Sequence, residues 1–198
     1  MQSFSPFQNS HLTASATRKK RKRSRLLAAI TAGHLEKVVK ALASCDPNFV
    51  DETPPPSSGK HHAKDDHLVS TSGETPLSLA ASITSTPPAV ASSILVALVN
   101  GGALLDFRTR DGRTALHAAV QRSNLPALKT LLDLGGSPNL VDGAGLTPLY
   151  YTVLHRTSPK LAQLLLHEHA KSGVTDQHGW AEVHQVNSWG VGFRKDFV

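Results

Sequence analysis

Short runs of apolar residues at helical spacing recur along this chain, and three of them open in the same way. The phrases GETPLSLAA, GRTALHAAV and GLTPLYYTV each begin with glycine, pass through a threonine and continue into apolar residues. Glycine permits a tight turn, and a threonine hydroxyl can accept a hydrogen bond from a free N–H group in the first turn of a helix. The pattern therefore predicts three helices, capped by Thr75, Thr114 and Thr147.

A proline lies twelve positions after each of these threonines, where a second helix is predicted to begin. The apolar runs ILVALV, LKTLLDL and LAQLLL form the bodies of these second helices, and paired glycines follow the first two runs, as is typical of helix ends. Each unit is therefore a turn, a helix, a loop and a second helix. The polar residues beside the prolines are the candidate caps: Thr86, Asn124 and Ser158.

The units repeat at a spacing that is typical of ankyrin repeats. Thr114 and Thr147 are 33 residues apart, and the stretch after Thr114 keeps four of the five positions of the TPLH-x-A signature, including His117. Thr75 lies six residues further from Thr114, which predicts a longer second helix in that repeat. The predicted fold class is an all-α ankyrin-repeat solenoid of helical hairpins with finger loops.

The predicted domain limits follow from these repeats. The first repeat is degenerate, and its apolar face is predicted to comprise Leu27, Ile30, Leu35, Val38, Val39 and Leu42. An insertion at 52–71, rich in proline, serine and charge, should bulge from a finger loop. A tail at 186–198 carries no second helix, so we expect the end of the stack to fray. Within 26–185, the repeats are predicted at about 26–51, 72–105, 106–139, 140–174 and, in part, 175–185.

The net charge of +6 is concentrated in one segment near the start of the chain. Residues 1–25 are predicted to form a disordered basic arm, and the rest of the chain is nearly neutral. Such an arm could serve as a nuclear import signal, touch an anionic surface weakly, or simply be solvated. Its basic residues are Arg18, Lys19, Lys20, Arg21, Lys22, Arg23 and Arg25.

Composition limits the setting of the protein. Aromatic residues make up only 5% of the chain, which suits closely stacked helices with leucine and alanine cores. The single Cys45 excludes an internal disulfide and favours a reducing, intracellular compartment. We find neither a long apolar run nor the charged start and apolar middle of a secretion signal.

No group of residues predicts catalysis, a metal or a cofactor. His61, His62 and His67 lie beside Asp65 and Asp66, but a flexible loop gives metal ligands no fixed geometry. The paired glycines end helices rather than open a phosphate-binding loop, and no acid, base or nucleophile set is recognisable. We expect the motif histidine His117, and similarly His34 and His184, to tie neighbouring loops together by hydrogen bonds.

Protein binding is the function that this architecture predicts, through finger loops and the concave face of the first helices. Arginines at the fingers can make forked hydrogen bonds to carboxylates of a partner, although solvated loop charges are an equal alternative. The candidate binding residues are Arg108, Arg110, Arg113, Gln121, Arg122, Asp142, Tyr151 and His155.

Several stretches of the sequence are more specific than the general ankyrin signature. GGALLDFRTRDGRTALHAA, LLDLGGSPN with GLTPLY, and LLLHEHA with TDQHGWAEVHQ resemble the ankyrin region of the Shank family of postsynaptic scaffold proteins. The resemblance covers roughly 26–185 without the insertion. It implies a cytoplasmic scaffold of the postsynaptic density and protein partners such as sharpin, the spectrin α chain and a FERM-like module of the same scaffold. It implies no small-molecule substrate and no specific nucleic acid.

The chain also departs from that family. The FERM-like module, further repeats, and the SH3, PDZ, proline-rich and SAM regions are not in this sequence, so we expect a fragment, a truncated isoform or a mis-spliced product. The main alternative is a nuclear ankyrin-repeat cofactor that uses the basic arm for import. A nucleic-acid binder is a further alternative, and an enzyme is the weakest.

Overall fold

The structure is a computed structural model that describes residues 8–51, 73–155 and 157–175 together with Gly179 and Ala181, without the side chains of residues 8–14. Within these residues the chain forms helices and one isolated bridge, between Thr175 and Ala181, and no strand. The predicted all-α class is therefore confirmed. The helices are α1 (Gln8–Thr31), α2 (Leu35–Leu42), α3 (Pro76–Ser82), α4 (Pro88–Asn100), α5 (Ala115–Gln121), α6 (Leu125–Asp133), α7 (Pro148–Leu154) and α8 (Pro159–His167).

The helices form antiparallel hairpins that stack side by side. The first helices α1, α3, α5 and α7 pack in one row, and the second helices α2, α4, α6 and α8 pack in another. Each hairpin thus buries its apolar side against its neighbours, as a solenoid requires. Of the described helices, none is both long enough and apolar enough to cross a membrane.

The first helices start where the threonines stand. The Thr75 hydroxyl accepts from the Ser78 N–H (3.0 Å) while the Ser78 hydroxyl accepts from the Thr75 N–H (2.9 Å), which forms a capping box. Thr147 accepts from the Tyr150 N–H at 3.2 Å. These local bonds satisfy free N–H groups and fix the first residue of each helix.

The second helices are capped less uniformly. The Asn124 side chain accepts from the Ala127 N–H and donates to the carbonyls of Ala81 and Ile83, which ties α6 to the end of α3. Ser158 precedes α8 without a described side-chain cap bond. The interpretation of Thr86 as a cap is wrong, because two consecutive prolines place the N-cap of α4 at Pro87.

The second repeat has the longer second helix that its spacing predicts. Helix α4 contains 13 residues, whereas α6 and α8 contain nine each. The extra residues lengthen the helix and leave its packing between α2 and α6 intact. Leucines on the second helices form the centre of the core and are fully buried: Leu95, Leu98, Leu128, Leu131, Leu161 and Leu165.

The first hairpin carries most of the predicted apolar face. Ile30 and Val38 are fully buried, but Val39 is 52% exposed, so its inclusion in the face was wrong. Val39 follows Val38 by one residue and is rotated by about 100° around the helix, which turns it towards solvent. Leu26, just outside the predicted set, is fully buried instead.

The predicted disorder of residues 1–25 is wrong for residues 8–25, which lie in α1. Lysine and arginine are good helix formers, and the packed segment after Arg25 extends the same helix into the core. Two cations of the run touch the repeats. The Lys22 ammonium donates to the Ser44 carbonyl at 3.0 Å, and the Arg23 guanidinium lies 4.7 Å from the centre of the Phe49 ring.

The residues on either side of the predicted insertion, Asp51 and Gly73, lie next to each other in the structure. The Asp51 N–H donates to the Glu74 carbonyl and the Gly73 N–H donates to the Asp51 carbonyl, both at 2.8 Å. The repeats therefore resume directly across the insertion. The insertion itself with His61, His62, His67, Asp65 and Asp66, most of the partial repeat with His184, and the tail lie outside the described residues.

Candidate protein-binding surface

Two finger loops stand side by side, the first finger at 104–113 and the second finger at 139–146. Within them, the Thr109 N–H donates to the Arg113 carbonyl (2.8 Å) and the Asp142 N–H to the Leu146 carbonyl (2.9 Å). Between them, the Gly143 N–H donates to the Asp111 carbonyl at 3.0 Å. Each finger is thus closed on itself and bonded to its neighbour, so the pair offers one continuous edge.

This close approach depends on glycine at the base of the first finger. Gly112 has a φ of +77°, and a Cβ at this position would lie 2.6 Å from the backbone nitrogen of Gly143. Side chains other than glycine are strained at such a φ, and the neighbouring backbone leaves no room. The glycine of the GRT phrase therefore sets the distance between the fingers.

His117 joins the start of α5 to the second finger. Its Nδ1 accepts from the Thr114 N–H (3.1 Å), and its Nε2 lies 3.1 Å from the Leu146 carbonyl oxygen. A carbonyl only accepts, so the ring is neutral with its proton on Nε2. Burial lowers the pKa of His117, although the bond to Leu146 and the charge of Asp142 oppose the shift.

Asp142 shapes the second finger from inside. Its Oδ1 accepts from the N–H groups of Ala144 and Leu146, both at 2.9 Å, and its Oδ2 accepts from the Tyr151 hydroxyl at 2.6 Å. Burial raises the pKa of this carboxyl, but the three hydrogen bonds outweigh it and lower the pKa. Asp142 is only 8% exposed and its carboxylate is occupied by three donors, so the expectation of an exposed finger residue is wrong, while a part in partner binding stays a prediction.

Tyr151 is the centre of a ladder of rings that runs from the core to the surface. Its ring meets His117 edge-on at 5.6 Å and stacks on His155 at 5.4 Å. Burial and the bond to Asp142 raise the pKa of Tyr151 to about 12, so its hydroxyl stays a donor. The exposed His155 ring has a lowered pKa, first through burial and then through the charge of Arg113.

Arg113, which immediately precedes the N-cap of α5, completes this group. Its guanidinium carbon lies 5.6 Å from the centre of the Tyr151 ring, and its Nη1 donates to the Gln121 side-chain oxygen at 3.2 Å. Its Nε is covered and has no hydrogen-bond partner among the described atoms. The structure therefore brings together five of the eight predicted residues, with Asp142 on the inner side of Tyr151. The other four form what we call the arginine–tyrosine cluster: Arg113, Gln121, Tyr151 and His155.

The remaining predicted arginines differ from one another. Nη1 of Arg108 donates to the Gly112 carbonyl at 2.7 Å and to the Val141 carbonyl, so this side chain straps the first finger to the second. Arg110 is exposed, and its backbone N–H donates to the Gly73 carbonyl. Arg122 is exposed at the C-cap of α5, next to Gln121.

Two exposed apolar residues on the fingers were missed from the sequence. Leu104 is 54% exposed at the start of the first finger, and Val141 is 39% exposed on the second. The signal in the sequence is an apolar residue at an exposed position of a finger, because such residues contribute to interface cores. The charged residues of the fingers are a more conspicuous signal than these two apolar residues.

Comparison with known proteins first identifies the class of protein to which the chain belongs. A family model for ankyrin repeats, in three copies, matches residues 9–142 and 89–176. The chain belongs to the ankyrin-repeat family. The match begins at residue 9, so it includes α1, in agreement with the helical course of the basic segment.

Three similar proteins show which ankyrin-repeat proteins this chain resembles. Human SH3 and multiple ankyrin repeat domains protein 2 is 43% identical over 157 residues, which cover 79% of this chain and 7% of that protein. Mouse SH3 and multiple ankyrin repeat domains protein 1 is 40% identical over 163 residues, covering 82% of this chain and 6% of that protein. Chicken inversin is 41% identical over 80 residues, covering 40% of this chain and 7% of that protein.

The expected resemblance is confirmed: this chain is similar to the ankyrin region of the Shank family across about four fifths of its length. It spans only about 6–7% of the length of these relatives. Ankyrin repeats mediate protein–protein interactions.

Proposed function

We propose that this chain is a non-catalytic protein-interaction module that binds its partners with the two fingers and the arginine–tyrosine cluster. The observation that carries the proposal is the fixed position of Arg113 beside Tyr151 and His155. Tyr151 is only 5% exposed, so its part is to hold Arg113 and His155 in position. Arginine is enriched at the energetic centres of interfaces, and side chains held in place before binding lose little entropy on association.

The cluster favours an acidic group on the partner. Arg113 makes one described side-chain hydrogen bond, to Gln121, and Arg122 is exposed next to Gln121 in the sequence. The nearby carboxylate of Asp142 is already occupied by three donors. A partner carboxylate would therefore be the natural acceptor for the accessible part of the Arg113 guanidinium, through a charge-assisted hydrogen bond.

The fingers add apolar contact beside this polar centre. Leu104 and Val141 would lose solvent exposure against a partner, and Arg108 holds the backbone of both fingers in register. An apolar patch with polar surroundings is the usual anatomy of a specific interface. The combination supports one continuous site from the fingers to the ends of α5 and α7.

The relatives support a scaffold of the postsynaptic density as the biological setting. On that basis we propose a cytoplasmic location and, as partners, sharpin, the spectrin α chain or a FERM-like module of the same scaffold. The names of the relatives state only that they contain SH3 and ankyrin repeat domains.

The experiment measures the binding of the complete 198-residue chain to purified sharpin and spectrin α chain by isothermal titration calorimetry. Arg113→Ala and Arg110→Glu should each weaken binding about tenfold. Lys129→Glu, on the exposed side of α6, is the matched surface control and should change the affinity less than about twofold. Circular dichroism confirms that each variant is folded, and unchanged affinities for both arginine variants would exclude the site.

The nuclear alternative receives less support from the structure. Lys22 and Arg23 of the basic run contact the first repeat, and the run is part of a helix rather than a free arm. A fluorescently tagged chain should stay outside the nucleus whether Arg18–Arg25 is intact or its cations are replaced by serine. Nuclear accumulation that disappears on replacement would favour the import function instead.

A further inference from the structure

A groove of about 660 Å³ lies between α1 and α2, at the N-terminal end of the described stack. Its lining comes only from these two helices and the turns beside them, and it includes no residue of the fingers, α5 or α7. The groove is therefore separate from the arginine–tyrosine cluster. We propose that it is a second docking site, for an acidic helical segment of a partner protein.

The floor of the groove is made of methyl groups. It is lined by Ala28 and Ala29 of α1, by Ala32 in the turn just after α1, and by Ala41 of α2. Small side chains on both helices leave a trough rather than a ridge, and Ala28 and Ala32 are exposed to solvent. A helix that lies between two others needs such small residues to come close, and it buries its own apolar side on them.

The rims of the groove are cationic. Lys22 and Arg25 stand on the α1 side, and Lys37 and Lys40 stand on the α2 side. The lining contains no aspartate and no glutamate. Cations on both sides of a cleft add their fields, which attracts acidic partners and speeds their association.

The positive surface extends beyond the groove along α1. A neighbouring hollow shares Lys22 with the groove and adds Arg18, Lys19 and Arg23, against the single acid Asp46. The basic run, which as a sequence suggested only an arm, is thus one wall of a shaped surface. Its helical course places its cations at fixed positions relative to the alanine floor.

The alanine floor and the cationic rims together determine which kind of ligand fits the groove. A small phosphate-rich ligand would satisfy the rims but would leave the methyl floor without an apolar partner. A membrane would need apolar side chains that project outwards, and Arg18–Arg25 contains none. An amphipathic helix with small or aliphatic residues on one side and glutamates along its edges matches the floor and the rims at once.

The probe is a fluorescein-labelled peptide of about 15 residues, built from alanine and leucine on one helical face with glutamate at its borders. Its analogue carries glutamine in place of glutamate. Fluorescence anisotropy with the complete chain should show salt-dependent binding of the acidic peptide and at least about tenfold weaker binding of the analogue. Equal binding of the two peptides, or no binding of either, would overturn the proposal.

Three variants test the position of the site. Lys37→Glu combined with Lys40→Glu should weaken peptide binding at least about tenfold, and Ala32→Trp should do so by filling the trough without a change in charge. The control pair, Lys129→Glu with Lys160→Glu, reverses two exposed charges on α6 and α8 and should alter binding less than about twofold. Circular dichroism verifies folding of each variant.

The outcomes separate this site from its alternatives. Equal weakening by the control pair would mean unspecific attraction by net charge and would contradict the proposal. Undiminished binding to Ala32→Trp, with inositol hexakisphosphate bound through Lys37 and Lys40, would indicate a small-anion site instead. Because Arg113→Ala should leave peptide binding unchanged, this proposal can fail while the finger surface stands, and the reverse also holds.

Discussion

The hairpin α5–α6 and the hairpin α1–α2 have the same architecture but hold their polar groups in different ways. In α5–α6 the buried His117 and Asn124 are hydrogen-bonded to neighbouring repeats, one to the second finger and the other to the end of α3. In α1–α2 two half-buried cations make contacts within the first repeat: Lys22 donates to the Ser44 carbonyl, and Arg23 lies over the buried Phe49 ring.

The contrast shows how one fold serves two purposes. Buried hydrogen bonds that link repeats are expensive to break, whereas partly exposed ion and ring contacts contribute little each. The central hairpin is therefore built for positional accuracy next to the fingers. The N-terminal hairpin keeps its cations available for something outside the stack.

The largest effect is expected when the buried hydrogen bonds of His117 are removed. His117→Ala should lower the free energy of unfolding by about 2–3 kcal/mol, because the Thr114 N–H loses its partner and the buried ring leaves a cavity. Urea unfolding followed by circular dichroism measures the change. The control His155→Ala removes an exposed ring from the other side of Tyr151 and should cost less than about 1 kcal/mol; equal losses would contradict the contrast.

A smaller effect is expected at the base of the first finger. Gly112→Ala should destabilise the protein by about 2 kcal/mol, since it combines an unfavourable φ with a clash against Gly143. Gly145→Ala is a matched control, because its φ of +81° is similar but no atom lies within 4 Å of the added methyl group. Thermal denaturation should show the control losing only about half as much. A larger loss of stability for Gly145→Ala than for Gly112→Ala would show that the close approach of the two fingers does not determine the effect.

The pH dependence of stability should also depend on the central hairpin. The pKa of folded His117 lies below the value of 6.5 for the free side chain, so the unfolded chain binds more protons in slightly acidic solution. The free energy of unfolding should be level above this pH and fall below it, by at most about 1.4 kcal/mol per pH unit, until the pKa of the folded state is reached.

Urea titrations between neutral pH and about pH 5 would measure this slope, which His117→Ala should reduce. The lowered pKa of His155 acts in the same direction and leaves a residual slope. Asp142 titrates below its ordinary value of 3.8 and therefore outside this range. The same slope in the wild type and in His117→Ala would disprove the assignment.

The smallest effect is expected in the N-terminal hairpin. Arg23→Ala should lower the free energy of unfolding by only about 0.5 kcal/mol, through loss of the contact with Phe49. Arg21→Ala, an exposed neighbour in the same helix, should leave stability unchanged within error. A loss at Arg23 as large as that at His117 would mean that the two hairpins are held alike.

Local signals explain what could be predicted from the sequence. A capping threonine and the helix it starts are only a few residues apart, so the starts of α3, α5 and α7 could be placed correctly. The 33-residue period then gave the stack, because hairpins that repeat in sequence also repeat in space.

What could not be predicted depends on contacts between segments. The role of Asp142 depends on the turn that brings its carboxylate to the Tyr151 hydroxyl, and Arg108 reaches a carbonyl in the next finger. The basic segment was misjudged for a different reason. Its charge suggested disorder, whereas its continuity with the buried residues Leu26 and Ile30 makes it part of a 24-residue helix that is packed at its C-terminal end.

The bonds between neighbouring finger loops have a mechanical consequence. From Gly73 to Arg110 and from Asp111 to Gly143, single backbone bonds follow one another along the stack, whereas the opposite edge is joined by broad leucine contacts. Tension along the axis would load those few bonds in series, so the finger edge would stretch before the helical edge yields. A pulling force would therefore change the spacing of the fingers and the surface that they present.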